Sequence, residues 1–434
     1  MTGTFDTVLR RRAERVSCEL AAQDEAWGQS GWTRRRFLAG VGMAGVATLG
    51  SQLVTSRASF ASAATANDQT LVVVFMRGAA DGLRILVPSS SDLGVDYLRT
   101  VRSKLVPTDA IALPGTSGWA LNKNLKPLYD GLWGTGELAF VPAVSVPGVS
   151  HSHFQAAQFL EKGGSDTATT GWLDRALSQM GLGTTFRAIS EGSATPASLA
   201  GPVPSVTLSG INTFTFPGTA SYSAAAEKAM STLYRGVGSP LADDVPDTLA
   251  ALTTAATIQA KPATTTVYPS GAFASALKDI AGILKAEVGM QVATVDVGGW
   301  DTHTDEANDL DNNLAAAGTA LRAFMDDLGP TRRKRVTVVV MTEFGRRVAM
   351  NDSGGTDHGH GSVMWLLGGG LAKSSVFGKW NKLSATTVDS GDVPGLNSPF
   401  DVLGELAQKR LGVGSPNSVF PGYALSSLGV ATTS

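Results

Sequence analysis

The sequence is poor in cysteine and in histidine. Its 434 residues include one cysteine and five histidines. The single Cys18 precedes an apolar N-terminal stretch that we expect to be removed, so the remaining chain would have no disulfide and no thiolate ligand. A disulfide-stabilised scaffold and a cysteine-based metal site are therefore excluded for the expected mature chain.

The chain has almost no excess of charge of either sign. Lysine and arginine number 35, aspartate and glutamate 37, and the net charge is −2. Proteins that bind nucleic acid or anionic membranes usually present a basic surface, so we expect neither as a partner. A hydrophobic content of 43% is ordinary for a globular protein, and this length allows one large domain or two smaller ones.

The N-terminal region resembles an export signal. Residues 33–38 (TRRRFL) precede a small-residue apolar run at 39–53, and residues 61–63 (ASA) have the form of a signal peptidase site. The apolar run of about 15 residues is shorter than the ~20 that a membrane anchor requires. We therefore expect 1–66 to be an N-terminal extension with a twin-arginine signal, recognised by the twin-arginine export machinery. The mature protein would be periplasmic or extracellular, with no stable membrane span after cleavage.

Continuous apolar runs predict strands that are buried on both faces of a sheet. The runs are Leu71–Met76, Leu138–Val144, Val292–Val297, Val336–Thr342 and Val363–Leu367. Helical patterns lie between several of them, including a crossover helix whose apolar positions recur from Leu310 to Leu328 and stop at Gly329 and Pro330. This alternation predicts an α/β fold over 67–434, with a mostly parallel sheet and helices on both faces.

The section 163–287 differs in composition from the rest of the chain. It is dense in alanine, threonine, serine, glycine and proline, and it contains no histidine. We interpret it as peripheral helices and loops, in the position of a cap or an insertion over the functional site.

All five histidines fall in three short clusters. The clusters are residues 151–153 (HSH), 301–303 (DTH) and 357–360 (DHGH). We expect each cluster to follow a predicted strand, as Asp81 and Glu343 also do. Ligands bind at the carboxyl ends of the strands in open parallel sheets, so these groups should meet in one crevice. A single histidine is more often an ordinary surface residue, but the clustering favours a shared site.

The side chains in these clusters predict a metal centre. Imidazole and carboxylate without thiolate suit zinc, manganese or iron or, with fewer histidines, magnesium, and calcium also stays open. Asp81 has a second interpretation as an ordinary turn aspartate. The candidate metal ligands are Asp81, Asp301, His303, Glu343, Asp357, His358 and His360.

Ser152, His153 and Arg346 are the candidate catalytic residues. Ser152 precedes an expected helix, where its hydroxyl either caps the helix or attacks an electrophile. Arg346 either clamps an anionic substrate oxygen or forms a structural ion pair with Glu343 or Asp357. Nearby large aromatic side chains are expected in the core rather than at a pocket wall, namely Phe154, Trp172 and Trp300.

Six segments carry a resemblance to a known family. They are residues 75–83 (FMRGAADGL), 152–154 (SHF), 171–175 (GWLDR), 299–303 (GWDTH), 342–346 (TEFGR) and 355–361 (GTDHGHG). In these segments the chain resembles the domain of unknown function 1501, a bacterial family in the alkaline phosphatase and sulfatase superfamily. The likeness extends from about Leu71 to Tyr423, and it implies an alkaline-phosphatase-like sandwich.

The resemblance also implies roles for individual residues. Asp81 would take the place of the superfamily's early metal-binding aspartate, and Ser152 that of its nucleophile. Asp301 and His303 would form one ligand set, completed by His358 or His360. The superfamily commonly has an Asp-His pair after the late strand, whereas this chain has Glu343 and Phe344. This departure removes an imidazole that a second metal site and turnover would use.

Two functions remain open from the sequence. The first is an exported metal-dependent hydrolase whose substrate is a small anionic phosphate or sulfate ester. The second is a metal-stabilised exported binding or assembly protein without turnover, because a fold alone does not fix a function. Loss of ester hydrolysis in Ser152→Ala would favour the first.

Overall fold

The computed structural model describes residues 68–146, 148, 150–214, 228–233 and 240–433, without the side chains of 240–247. The extension and export signal predicted for residues 1–66 lie outside this range.

A central eight-stranded sheet contains every predicted strand. The strands of the described chain are β1 (Thr70–Met76), β2 (Leu86–Pro88), β3 (Ile111–Ala112), β4 (Trp119–Leu121), β5 (Leu138–Val144), β6 (Ala188–Glu191), β7 (Val206–Leu208), β8 (Val292–Val297), β9 (Val336–Thr342), β10 (Ser362–Gly368) and β11 (Ser375–Val376). The large sheet has the order β11-β5-β10-β9-β1-β8-β6-β7, and β2-β4-β3 form a small antiparallel sheet. In the large sheet only β10 runs antiparallel to its neighbours.

Helices cover both faces of the sheet. They are α1 (Gly82–Ile85), α2 (Val95–Val101), α3 (Lys126–Leu128), α4 (His153–Glu161), α5 (Trp172–Gln179), α6 (Pro240–Gln259), α7 (Ala272–Lys285), α8 (Glu306–Arg333), α9 (Pro399–Lys409) and α10 (Pro416–Val419). A further helical stretch covers 228–233. Within the described chain, no helix has both the length and the apolar character needed to cross a membrane.

The alternation of side chains along β1 explains the three layers. Val72 and Val74 point to one face, where they belong to the same buried cluster as α7 and α8. Leu71 and Val73 point to the other face and belong to the cluster of α5 and α9. Successive strand residues face opposite sides, so a wholly apolar strand needs helices on both. The predicted α/β sandwich with a mostly parallel sheet is confirmed.

The crossover helix α8 has the predicted buried face. The apolar positions that recur at helical spacing are all buried, namely Leu310, Leu314, Ala317, Leu321, Phe324 and Leu328. Gly329 has a φ of 67° and leaves the helical conformation immediately before Pro330. The expected stop is therefore a kink, after which the chain makes one more helical turn.

The section 163–287 contributes to the sheet, which the sequence interpretation missed. It contains β6 and β7, which lie at one edge of the large sheet and pair in parallel with each other. These strands have only 4 and 3 residues. Runs this short carry too few apolar residues to stand out from a loop. The expectation of helices and loops alone was therefore wrong for these two segments.

One of the three aromatic predictions was also wrong. Trp172 and Trp300 are completely buried, but Phe154 is 89% exposed. Phe154 lies in the first turn of α4, where the adjacent His153 is half-buried and Gln155 is exposed. This end of the helix therefore lies outside the core, which a hydrophobicity argument for a single residue does not anticipate.

Candidate metal centre

The three histidine clusters lie together at the end of the sheet where the parallel strands have their carboxyl ends. The cluster at 151–153 follows β5, and the cluster at 301–303 follows β8. The third cluster was expected to follow a strand, but it directly precedes β10. Because β10 is antiparallel to β9 and β5, its amino end lies at the edge where their carboxyl ends lie. Strand reversal therefore brings the third cluster to the same crevice.

His153, Asp301, His303 and His358 form a compact group of potential metal ligands. The Nε2 atoms of His303 and His358 are 3.0 Å apart. They lie 3.0 and 3.2 Å from Asp301 Oδ1. His153 Nε2 lies 3.4 Å from Asp301 Oδ2. All three imidazoles thus turn the same ring nitrogen toward one carboxylate.

The other ring nitrogen of each histidine faces an acceptor outside the group. His153 Nδ1 donates to Glu343 Oε1 at 2.7 Å, and His358 Nδ1 donates to the backbone carbonyl of His151 at 3.0 Å. His303 Nδ1 is 3.7 Å from Asp357 Oδ1, which is an ion-pair distance rather than a hydrogen bond. A carbonyl only accepts, so His358 carries its proton on Nδ1 and presents the Nε2 lone pair to the group. Outer acceptors of this kind are typical of metal-binding histidines.

The donor atoms fit a metal ion better than they fit one another. With Nδ1 of His153 and His358 protonated, the Nε2 atoms of these two histidines and the Asp301 carboxylate are all acceptors that lie 3.2 to 3.4 Å apart, so their lone pairs repel. His153 Nε2 is buried and has no hydrogen-bond partner among the described residues. Bonds of about 2.0–2.1 Å in a tetrahedral site place the donors about 3.3 Å apart. The separations of 3.0 to 3.4 Å are close to this value.

The electrostatics of the group keep Asp301 ionised and His358 neutral. Burial alone would raise the pKa of Asp301, but the hydrogen bond and the positive charge of Arg346, with the neighbouring histidines, outweigh it and lower the pKa to about 2. Burial, with a contribution from the Arg346 guanidinium, lowers the pKa of His358. An ionised carboxylate beside a neutral imidazole is the protonation state that metal binding requires.

Arg346 binds other protein groups rather than facing a place where it could bind an anionic substrate oxygen. Its side chain is fully buried and donates to the carbonyls of Gly78, Ala79 and Thr356. It also donates to Asp301 Oδ1 at 2.5 Å. Because protein acceptors occupy these N–H groups, the guanidinium holds Asp301 and the strand ends together. Arg346 was expected to form a structural ion pair with Glu343 or Asp357. That prediction was wrong in the partner, because Arg346 pairs with Asp301.

A second group of potential ligands lies beside the first. It consists of His151, His360 and Asp392, whose ligand atoms lie within 4.8 Å of one another. The Phe344 ring contacts His151 at 5.7 Å and His358 at 5.0 Å between centroids, so it lies between the two groups. Sequence reasoning missed Asp392, because it lies in a loop that follows no predicted strand and contains no histidine.

Asp81 belongs to a different network of hydrogen bonds and ion pairs. It accepts from the Leu83 backbone N–H at 3.1 Å as the cap of α1, and it forms a buried ion pair with Arg102. Glu306 also contacts Arg102, at 3.3 Å. Burial and the neighbouring Asp81 carboxylate raise the pKa of Glu306 to about 8. Asp81 belongs to neither ligand group, and the sequence contained no signal that pointed to Arg102 or Glu306.

The remaining predicted residues lie around the first group. Glu343 is buried and accepts from His153 and from the Gly78 backbone N–H, so it supports a ligand. Asp357 is exposed beside His303. Ser152 is the N-terminal cap residue of α4, but its side chain makes no capping hydrogen bond. His153, which was predicted as a catalytic residue, lies in the position of a metal ligand.

Comparisons with known structures give weak matches. The C-terminal periplasmic domain of EcEptC from Escherichia coli, in complex with zinc, is 14% identical, over 85% of this chain and 91% of that chain, with a TM-score of 0.36. The alkaline phosphatase of the Antarctic bacterium TAB5 is 10% identical, over 72% and 95% of the two chains, with a TM-score of 0.27. Scores this low do not transfer a function. No functionally curated protein matches the chain significantly.

A protein family matches more decisively. The family is described as a protein of unknown function, DUF1501, and its profile matches residues 137–401. This range is more than half of the 434 residues and contains both ligand groups. The chain therefore belongs to the DUF1501 family.

Proposed function

We propose that the protein binds a divalent metal ion through His153, Asp301, His303 and His358. The observation that carries the proposal is the orientation of the three imidazoles, whose Nε2 atoms surround one ionised carboxylate while their Nδ1 atoms face outer acceptors. Such an arrangement presents lone pairs that a cation stabilises, and His153 Nε2 has no hydrogen-bond partner among the described residues. Zinc, manganese and iron suit this imidazole-rich set better than magnesium or calcium.

We further propose that the centre hydrolyses phosphate or sulfate esters. A bound divalent ion would supply Lewis acidity toward an ester oxygen. Ser152 precedes the ligand His153 at the start of α4, and its hydroxyl is not used as a helix cap. It would form the bond to phosphorus or sulfur as the bond to the leaving oxygen breaks, and water would then release phosphate or sulfate. The positive end of the α4 dipole would stabilise the anionic group.

A binding protein without turnover is the second candidate. The Ser152 hydroxyl has no hydrogen-bond partner among the described residues, so no base is in contact to activate it. Arg346, which could have balanced substrate charge, is buried and bound by protein acceptors. A centre with these features could hold a metal for stability or assembly alone.

Metal content and ester hydrolysis separate these functions. The purified mature protein should contain about one divalent ion per chain at this group, which Asp301→Asn should lose. If the protein is a hydrolase, it should cleave aryl phosphate or aryl sulfate, and Ser152→Ala should reduce the rate by at least about 100-fold without loss of metal. Metal binding with no Ser152-dependent turnover would favour the second candidate, a binding protein without turnover. Absence of bound metal after loading would contradict both.

Export is a separate proposal that rests on the sequence alone. The basic motif at 33–38 and the following apolar run predict passage through the twin-arginine machinery to the periplasm or beyond. Replacement of Arg34 and Arg35 by lysine should leave the protein in the cytoplasm, whereas Arg11→Lys and Arg12→Lys should not. Equal export of both variants would exclude this route.

A further inference from the structure

A cavity of about 670 Å³ lies at the carboxyl ends of the parallel strands, as the metal centre does. Glu191, the last residue of β6, lines it together with Asp296 of β8 and Asp279 of α7. Arg77, which follows β1, lines it as well. This volume is within the range that small-molecule sites occupy. None of these residues belongs to either ligand group.

The cavity and the metal centre share two structural elements. At the end of β1, Arg77 lines the cavity, whereas the next residue, Gly78, donates its N–H to Glu343 beside the centre. In β8, Asp296 lines the cavity, and the loop after the strand carries Asp301. The two sites are therefore neighbours along one edge, although each has its own side chains.

The cavity is lined by more acidic than basic side chains. Arg77 binds Asp296 at 3.0 Å and Glu161 at 2.6 Å, so its guanidinium is already paired with two carboxylates. In the described part of the chain, Glu191 and Asp279 form no ion pair with any lysine or arginine. The cavity is lined by three carboxyl groups and by one guanidinium that is already paired, so a ligand of positive charge is favoured over an anion.

Two buried polar groups at the cavity are also incompletely bonded. Glu191 Oε2 accepts from the Gly210 N–H at 3.2 Å, but Oε1 has no hydrogen-bond partner among the described residues. The Thr294 hydroxyl, on β8, has none either. Both residues line the cavity, and they are 7% and 5% exposed. Buried polar groups are nearly always paired in folded proteins, so unpaired ones next to a cavity indicate a missing hydrogen-bond partner.

We propose that this cavity binds a small organic amine, whose ammonium group is held by Glu191 and Asp279. An ammonium group carries a positive charge and three N–H donors, which match the unpaired Glu191 Oε1 and the Asp279 carboxylate. Burial, and then the nearby Asp279, raise the pKa of Glu191 to about 9, so Glu191 keeps a proton near neutral pH without a ligand. Binding of an ammonium group therefore releases that proton. The proposal does not depend on the metal.

Calorimetric titration of the metal-free protein with putrescine tests this inference. Butanediol is the matched probe, because it has the same length and polar ends but no charge. Putrescine should bind at least about tenfold more tightly than butanediol. Its binding enthalpy at pH 7 should vary with the ionisation enthalpy of the buffer, as expected when a proton is released. The other charged groups that line the cavity with Glu191 are Asp279, Asp296 and Arg77.

Variants assign the effect to the cavity. Glu191→Gln should weaken putrescine binding about tenfold and abolish proton release. Asp279→Asn, on the partly exposed helix α7, gives a second test if Glu191→Gln fails to fold. Glu137→Gln, beyond the opposite edge of the sheet, is the matched control and should bind putrescine as the wild type does. Equal affinity for putrescine and butanediol, or unchanged putrescine affinity in both cavity variants, would overturn the proposal. Metal affinity should be unaltered throughout, so this test and the metal test fail independently.

Discussion

The outer partners of the histidines determine which ring nitrogen can bind a metal. The Glu343 carboxylate binds Nδ1 of His153, and the His151 carbonyl binds Nδ1 of His358. Each contact favours the tautomer with a free Nε2 lone pair and also fixes the ring orientation. Glu343 therefore supports the ligand His153 from outside the group.

Replacement of this supporting carboxylate should weaken metal binding. Glu343→Gln keeps an acceptor for His153 and for the Gly78 N–H but removes the charge. We expect a 10- to 100-fold loss of metal affinity, with about the same free energy of unfolding for the metal-free protein. Competition with a chelator measures the affinity. Glu137→Gln is the control, and equal affinity of Glu343→Gln and wild type would contradict the supporting position.

The titration of Glu191 should be visible in the pH dependence of stability. Burial and Asp279 raise its pKa from 4.5 to about 9 in the folded protein. The folded state therefore holds this proton more tightly than the unfolded state, and the resulting stability is complete below pH about 4.5 and is lost as the pH rises toward 9. Glu191→Gln has no such proton. The free energy of unfolding of Glu191→Gln, relative to wild type, should increase from pH 5 to pH 9. Parallel pH profiles in denaturant titrations would contradict this.

At the scale of elements, close packing between strand ends positions the centre. Gly78 follows β1 with a φ of 125°, and a Cβ added there would lie 2.4 Å from the Asp301 backbone nitrogen. The loop that carries Asp301 can therefore approach the end of β1 only because this residue has no side chain. A displacement of this loop moves the carboxylate around which the three imidazoles are arranged.

A methyl group at this position should affect both stability and metal binding. Gly78→Ala should lower the free energy of unfolding by more than about 1 kcal/mol, because the left-handed φ and the backbone contact both oppose a side chain. It should also weaken metal affinity by displacing Asp301. Gly282→Ala is the matched control, since Gly282 lies in α7 with no atom within 4 Å of an added Cβ. We expect that variant to bind metal normally and to unfold no more easily than wild type.

The sequence predicted the long elements and the gathering of the histidines, for physical reasons that also explain what it missed. Strands β1 and β9 are apolar on both faces, so continuous runs identify them. The short edge strands β6 and β7 have no such run. Burial of Asp81 against Arg102 depends on the placement of α2, which local sequence does not contain. Asp392 reaches His360 only through tertiary folding.

At the scale of the whole molecule, the proposed ion would join a helix start and two loops from three separate parts of the chain. His153 follows β5, Asp301 and His303 follow β8, and His358 precedes β10. A ligand that binds only the folded state stabilises it by an amount set by its concentration relative to Kd. Because this site exists only when the strands are assembled, metal binding should be a substantial contribution to stability.

Metal should therefore raise the stability of the wild type but not of a ligand variant. At a free zinc concentration of 100 times Kd, the free energy of unfolding should rise by about 2.7 kcal/mol. Asp301→Asn should show little of this increase, whereas Asp326→Asn, on the exposed side of α8, should show all of it. Urea titrations with and without zinc measure the difference. An equal increase in both variants would place the ion elsewhere.

The most direct measurement is anomalous X-ray diffraction from crystals of the zinc-loaded protein. The proposed centre predicts a zinc peak within about 2.0–2.2 Å of an Asp301 oxygen and of the Nε2 atoms of His153, His303 and His358, with the Nδ1 contacts to Glu343 and the His151 carbonyl intact. A zinc ion bound only outside this group, or no zinc peak in a crystal where these side chains bond directly to one another, would contradict it.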